Sequence, residues 1–248
     1  VPKCPQMRLF HISMDNIVTS AARVKIPENR TVPQFCWSKM DRIADLLSMT
    51  DGTRGTRKTH GDIQREAIQF GGALQELGMK KGDILSVILL NCPEFNVVFF
   101  GANMAGVIVS PLNPSYTAEE IAALLDVGKA SYVVTEGQIL NKVVKALELS
   151  KTSIKVVIPA HTLPEQLREH ADQGLTFLDF GDLVCNGRSK WKQPKMDPQR
   201  DLSILPFSSG TTGLPKGVML SHYNLVANLV QTTEGQPFRV VEVKYTSS

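Results

Sequence analysis

"GDILSVILLNCPEFNVVFFGANMAGVIVS", residues Gly82 to Ser110, contains the most apolar region of the chain, and its reading decides the fold. Taken as one helix it would resemble a membrane span. Asn91, Pro93, Glu94, Asn96 and Asn103 interrupt it well before the ~20 apolar residues such a span requires. Gly82 and Asp83 mark a turn, and "ILSVILL" is a continuous apolar run of the kind found in a strand covered on both faces. Pro93 suits the first position of a helix that reaches Ala105 and ends at Gly106; "VIVS" is the next strand. The unit is strand, helix, strand.

The same alternation extends in both directions. Thr59 and Asp62 form a capping box, with the acid in place of Glu, for a helix to Leu77. Its apolar stripe is Ile63, Ala67, Phe70, Leu74 and Leu77, and Gly78 suits its C-terminal cap. Thr117 and Glu120 cap a helix ending near Gly128. "SYVVT" is a strand, "QILNKVVKALEL" a helix, "KVVI" a strand, and Thr162 with Glu165 caps one more helix. This pattern predicts an α/β fold: a mostly parallel sheet with helices on both faces. Residues 1–58 lack the rhythm and read as a wrapping arm with some helix, such as "MDRIADLLSM". From Phe180 to Asp201 the chain is polar, contains two prolines and reads as a surface connection.

Composition narrows the function classes. An apolar fraction of 42% and a charged fraction of 21% are those of an ordinary globular protein. A formal net charge of +3 gives no basis for a nucleic-acid partner, and no transmembrane segment or secretory signal is expected. The basic run "TRGTRK", Thr53 to Lys58, reads as a solvated loop. Cys4, Cys36, Cys92 and Cys185 form no C-x-x-C pair, which argues against a disulfide framework or a zinc site and favours a reducing compartment. His161 and His170 lie in or beside a surface helix, where a solvated role is expected.

Chemistry concentrates in "SSGTTGLPKG", Ser208 to Gly217. Gly210, Gly213 and Gly217 lack Cβ, so the backbone can enter φ > 0 and approach a ligand closely. Successive amides in such a loop can form a nest for an anion. Ser208, Ser209, Thr211 and Thr212 add hydroxyl donors, Lys216 adds a positive charge, and no carboxylate opposes them. That inventory fits phosphate. It is not a P-loop: Pro215 stands where the second glycine belongs, and Gly217 replaces the hydroxyl that would hold magnesium. Flanking "LSILPF" and "GVML" read as strands, so the expected geometry is strand–loop–strand, at a carboxyl end of the sheet where ligands of α/β proteins bind. The competing reading is a flexible Gly/Ser/Thr connection; the lysine behind a rigid Leu214-Pro215 approach favours phosphate. Ser221 is placed to cap a helix "HYNLVANLVQ" carrying Leu225, Val226, Leu229 and Val230 on one face, with His222 in a packing role rather than as an acid–base group.

"LPFSSGTTGLPKGVMLSHYNLVANL" resembles the phosphate-loop motif of the acyl-adenylating (AMP-binding) enzyme superfamily, and within it the 4-coumarate–CoA ligase and luciferase-like branch. The resemblance extends upstream through "GALQELGMKKGDILSVILLNCPEF", "NPSYTAEEI" and "KASYVVT", over roughly residues 24 to 231. It implies an ATP-dependent acid–thiol ligase: a small carboxylic acid attacks ATP in the presence of Mg2+, and coenzyme A then displaces AMP from the acyl-adenylate. By the family's motif, Ser208, Ser209, Gly210, Thr211, Thr212, Gly213 and Lys216 would hold the β- and γ-phosphates, and Thr211 or Thr212, with Thr211 the first choice, would help orient the metal. The resemblance assigns no catalytic residue, and it leaves the compartment as cytoplasmic or peroxisomal.

On this reading residues 59–231 form the α/β AMP-binding subdomain ending in the phosphate loop, and residues 232–248 a divergent or truncated tail. The family's Tyr-Gly-x-Thr-Glu motif, ribose-binding aspartate, hinge arginine and mobile C-terminal domain do not appear. The expectation is therefore the N-terminal, phosphate-loop portion of a ligase, inactive in thioester synthesis by itself. The alternative is a non-catalytic truncated protein that binds nucleotide or a partner, and a third reading is an unrelated phosphate-binding α/β domain.

Overall fold

The computed structural model describes residues 10–12, 18–20, 24–154, 156–162, 164–170, 174–186, 192–208 and 215–233. Five parallel strands are Ile84–Val87 (β1), Ile108–Pro111 (β2), Tyr132–Glu136 (β3), Val156–Ala160 (β4) and Thr176–Phe177 (β5). Leu202–Ile204 (β6) adds a sixth beside β2, and Leu220–Ser221 (β7) closes the edge antiparallel to β6. Across the sheet the order is β7-β6-β2-β1-β3-β4-β5.

Handedness places the helices. The connections β1→β2 and β5→β6 run toward one edge of the sheet, whereas β2→β3 and β3→β4 run toward the other. Right-handed crossovers must then put their helices on opposite faces. Pro93–Ala105 (α2) and Phe180–Asn186 (α5) accordingly share one face with His60–Glu76 (α1). Ala118–Gly128 (α3) and Leu140–Leu149 (α4) share the other. Each strand feeds both cores by alternation: Leu85, Val87, Val134 and Ile158 point to the α1–α2 side, and Ile88, Val133 and Val157 to the α3–α4 side. A strand buried on both faces explains the unbroken apolar run in "ILSVILL".

Helix boundaries follow the sequence signals. Thr59 Oγ1 accepts the Asp62 amide at 3.1 Å, and the Thr59 amide donates to Asp62 Oδ2 at 2.9 Å. That amide, with Arg65 and the Thr59 hydroxyl, holds the Asp62 carboxyl down at about 2. Thr117 and Glu120 repeat the box at 3.2 and 2.8 Å. Gly106 ends α2 in the left-handed region at φ 77°.

Three expectations are corrected. "MDRIADLLSM" is helical only over Met40–Ile43; Leu47–Thr50 is a strand paired antiparallel with Arg57–Thr59. "TRGTRK" is an exposed loop over Thr53 to Thr56, as expected, but its end is not: Arg57–Thr59 joins that pair and Lys58 Nζ meets Glu66 at 2.6 Å. The connection after Phe180 begins as helix α5, since Phe180 and Val184 are apolar and one turn apart and are buried together. Phe180 packs its ring 5.4 Å from that of Phe70 on α1.

α1 and α2 touch at glycines. A Cβ on Gly101 would lie 2.6 Å from the Ala67 carbonyl oxygen, and one on Gly71 would lie 2.7 Å from that of Gly101. Backbone, unlike the end of a side chain, cannot step aside. Gly101→Ala is therefore expected to lower stability by about 1–3 kcal/mol, read as a lower urea midpoint at unchanged m-value.

Candidate functional site

The glycine-and-hydroxyl loop leaves the carboxyl end of β6. The Leu205 amide donates to Val109 O at 2.8 Å, extending the pairing with β2, and Ser110 Oγ donates to Leu205 O at 3.3 Å. A two-rung antiparallel hairpin follows: Phe207 opposite Gly217, and Ser208 opposite Lys216. The Val218 amide closes its base on Pro206 O at 2.8 Å. This is the expected strand–loop–strand geometry, distinct from the strand-to-helix course of a P-loop.

Cross-strand partners share a face of a hairpin, and neighbours along a strand point to opposite faces. Phe207 with Gly217 is thus the inward rung, and Ser208 with Lys216 the outward one. Phe207 packs against the α3–α4 core, while Ser208 and Lys216 are exposed. The Ser208 hydroxyl reaches the Lys216 carbonyl at 3.4 Å. The Lys216 ammonium has no ion-pair partner among the described residues. Of the seven residues expected to hold phosphate, these two are therefore brought together at the mouth of the loop. Ser209, Gly210, Thr211, Thr212 and Gly213 lie outside the described residues, including the expected metal-orienting Thr211.

A second polar cluster was not legible as one. β1 sends its connection toward one edge and β3 toward the other, so the crevice between their carboxyl ends is the topological switch point of the sheet. Glu136, fully buried at the end of β3, accepts the Leu90 amide at 2.6 Å and meets Arg54 Nη2 at 3.4 Å. Arg54 also pairs with Asp51 at 2.9 Å, and amides of Arg54 and Thr53 hold the Asp51 carboxyl below its usual value. Beside them His161 Nε2 lies 3.0 Å from Glu94 Oε2. Burial pushes Glu94 up, but hydrogen bonds from His161 and from its own backbone outweigh that, and its carboxyl is lowered overall.

The solvated role expected of the two histidines holds for His161, which stays exposed while its Nε2 meets Glu94. It is corrected for His170, which is buried with Nε2 2.9 Å from Asn141 Oδ1. Short polar strand ends carry no periodic signal, which is why the cluster escaped notice. The one available hint was a glutamate directly after the apolar run in "YVVTEG".

Cys36, Cys92 and Cys185 are free thiols. Burial pushes the Cys92 thiol up to about 11, so it is protonated at neutral pH and a poor nucleophile. Among the described residues no group of three or more His, Cys, Asp or Glu side chains could hold a metal ion, and no helix is long and apolar enough to cross a membrane.

His222 opens helix His222–Thr233 (α6), behind a Ser221–Asn224 cap in which the Asn224 amide reaches Ser221 Oγ at 3.3 Å. Its ring is completely buried, and Nδ1 accepts the Val32 amide at 3.3 Å, tying the N-terminal segment to α6. Burial holds its pKa down at about 4, with Asp201 pulling up and Lys81 pushing down; those two pair at 2.7 Å. The packing role expected of His222 at the start of its helix agrees with these surroundings.

Residues 37–245 match the family model described as AMP-binding enzyme, and the chain belongs to that family. It is 38% identical over 211 residues to a probable 4-coumarate–CoA ligase 3 of Dictyostelium discoideum, covering 84% of this chain and 38% of that protein. To a 4-coumarate–CoA ligase-like protein of Arabidopsis thaliana it is 34% identical, covering 86% and 36%. The fold matches an anthranilate CoA ligase solved in complex with anthranoyl-AMP, with TM-score 0.70, 21% identity, and 84% and 38% of the two chains covered. A red-emitting luciferase of Phrixothrix hirtus matches with TM-score 0.70, 19% identity, and 86% and 39% covered. The chain thus spans little more than a third of the length of these relatives.

The buried His222 ring carries a pH dependence. Its folded value, about 4, lies below the ordinary 6.5. Above pH 6.5 both states are neutral and it contributes no slope. As pH falls from 6.5 to 4 the unfolded chain takes up a proton that the folded chain refuses, costing about 3 kcal/mol in all. Urea unfolding is expected to show this loss in the unaltered chain, and a flatter profile over the same window in His222→Gln.

Proposed function

We propose that this chain supplies the polyphosphate grip of an ATP-dependent acid–thiol ligase. The carrying observation is the outward rung of the hairpin. It sets Ser208 and Lys216 opposite each other at the mouth of a loop made of serine, threonine and glycine, and the Lys216 ammonium has no ion-pair partner among the described residues. Such a donor set, free of carboxylates, fits a polyphosphate anion and repels no part of it. Family membership and the 4-coumarate–CoA ligase relatives support the same reading.

In this account Lys216 neutralises charge on the terminal phosphates, and Ser208, Ser209, Thr211 and Thr212 donate hydroxyl hydrogen bonds to their oxygens. Gly210 and Gly213 let the backbone amides close on the anion. Bound ATP would supply the adenylyl group taken up by a small carboxylic acid, with pyrophosphate leaving before coenzyme A receives the acyl group. The contribution of these residues would be greatest where negative charge builds on the departing pyrophosphate, the point at which nearby hydrogen-bond donors stabilise most. Magnesium would be held chiefly by the phosphates themselves, with the Thr211 hydroxyl beside it.

The substrate classes are thus ATP and a carboxylic acid, for which 4-coumarate is the first probe. Calorimetric titration of the 248-residue chain with Mg-ATP is expected to show binding. Lys216→Ala should weaken it about 10- to 100-fold, the worth of a charge-assisted hydrogen bond. Equal affinity in the two proteins would refute the assignment. Binding without acid-dependent pyrophosphate exchange would instead favour a nucleotide-binding protein without catalysis.

A further inference from the structure

We propose that Phe207 is a positioning residue for the phosphate hairpin, its ring seated between two glycines so that Ser208 and Lys216 are turned to the ligand side. The inference rests on the reading of the hairpin as a polyphosphate grip. Three observations carry it.

The first is space. A Cβ on Gly128, the last residue of α3, would lie 3.5 Å from Phe207 Cζ, and one on Gly217 would lie 3.6 Å from Phe207 Cε1. These are ordinary contact distances, so the ring packs directly over both glycines, and atoms beyond a Cβ would enter its place; at Gly217 the Leu205 Cδ1 is nearer still, at 3.2 Å.

The second is the shortness of the hairpin. With two rungs only, its own ladder is too small to hold orientation against solvent, since isolated hairpins of this size are marginal in water. Its fixed points are the Leu205 and Val218 amides at the base and the Phe207 ring in the α3–α4 core.

The third is alternation. Because neighbours along a strand face opposite ways, anchoring Phe207 inward forces Ser208, and through the cross-strand pair Lys216, outward. Release of the ring would free the whole rung to rotate. Phe207 touches no phosphate in this account; it acts through the residues it orients.

The test pairs two readouts on the full chain. In Phe207→Ala, hydrogen exchange at the Val218 amide should accelerate while the Ile88 amide stays protected, and Mg-ATP affinity should fall about tenfold or more. Phe207→Tyr, which keeps the ring, should restore both. Phe180→Ala, a core truncation on the opposite face, should lower stability but leave both readouts as they were. If Phe207→Ala does not fold, Gly128→Leu displaces the same ring from the helix side and is expected to give the same pair of changes. Unchanged Val218 exchange in the folded ring variant would overturn the anchor. Faster exchange with unchanged affinity would overturn its positioning role. Failure of the unaltered chain to bind Mg-ATP would overturn the nucleotide reading itself, and the positioning role with it, whatever the exchange data show about the anchor.

Discussion

A parallel sheet buried on both faces leaves its strand ends as the places where polar chemistry can reach solvent. That constraint organises the molecule. β1 must be apolar on both sides because α1 and α2 cover one face and α3 and α4 the other. Polar and charged groups therefore collect at the carboxyl edge, in two places with different roles. At the switch point Glu136 and Arg54 stitch the exits of β3 and β1 and their neighbouring loop together. Beyond β6 the chain departs from the sheet altogether and returns as a hairpin.

The two places differ in electrostatic economy. At the switch point the carboxylates have close neighbours: Asp51 and Glu136 share Arg54, and Glu94 lies against the His161 ring. Its one guanidinium is already paired with two carboxylates, so the cluster offers an anion little and serves to fix the geometry of the crevice. The hairpin is the reverse, with a lysine exposed and no carboxylate in the loop that carries it. Uncompensated donors are what the proposed grip on a highly charged anion requires.

Much of this was legible in the sequence, for physical reasons. Helices announced themselves through capping boxes at Thr59 and Thr117 and through glycine at position 106, because those signals are local and report backbone hydrogen bonds directly. Strands buried on both faces were equally plain. What stayed hidden depends on tertiary partners. Leu47–Thr50 looks helical until Arg57–Thr59 pairs with it, and Phe180 looks like part of a polar connection until Phe70 receives its ring. His170 reads as solvated because its partner Asn141 is remote in sequence. Of the proposed phosphate-binding set, the residue types and the strand–loop–strand course were readable, whereas the packing of Phe207 over Gly128 was not.

The central claim is that the turn between Ser208 and Gly217 grips the polyphosphate end of a nucleotide. Backbone amide NMR shifts, followed while Mg-ATP and then inorganic pyrophosphate are titrated into the chain, test it most directly. The account predicts that both ligands move the same amides between Ser208 and Gly217, with the largest changes at the glycines. Saturating ligand that leaves those amides unmoved, or moves only residues around Glu136 and Arg54, would contradict it.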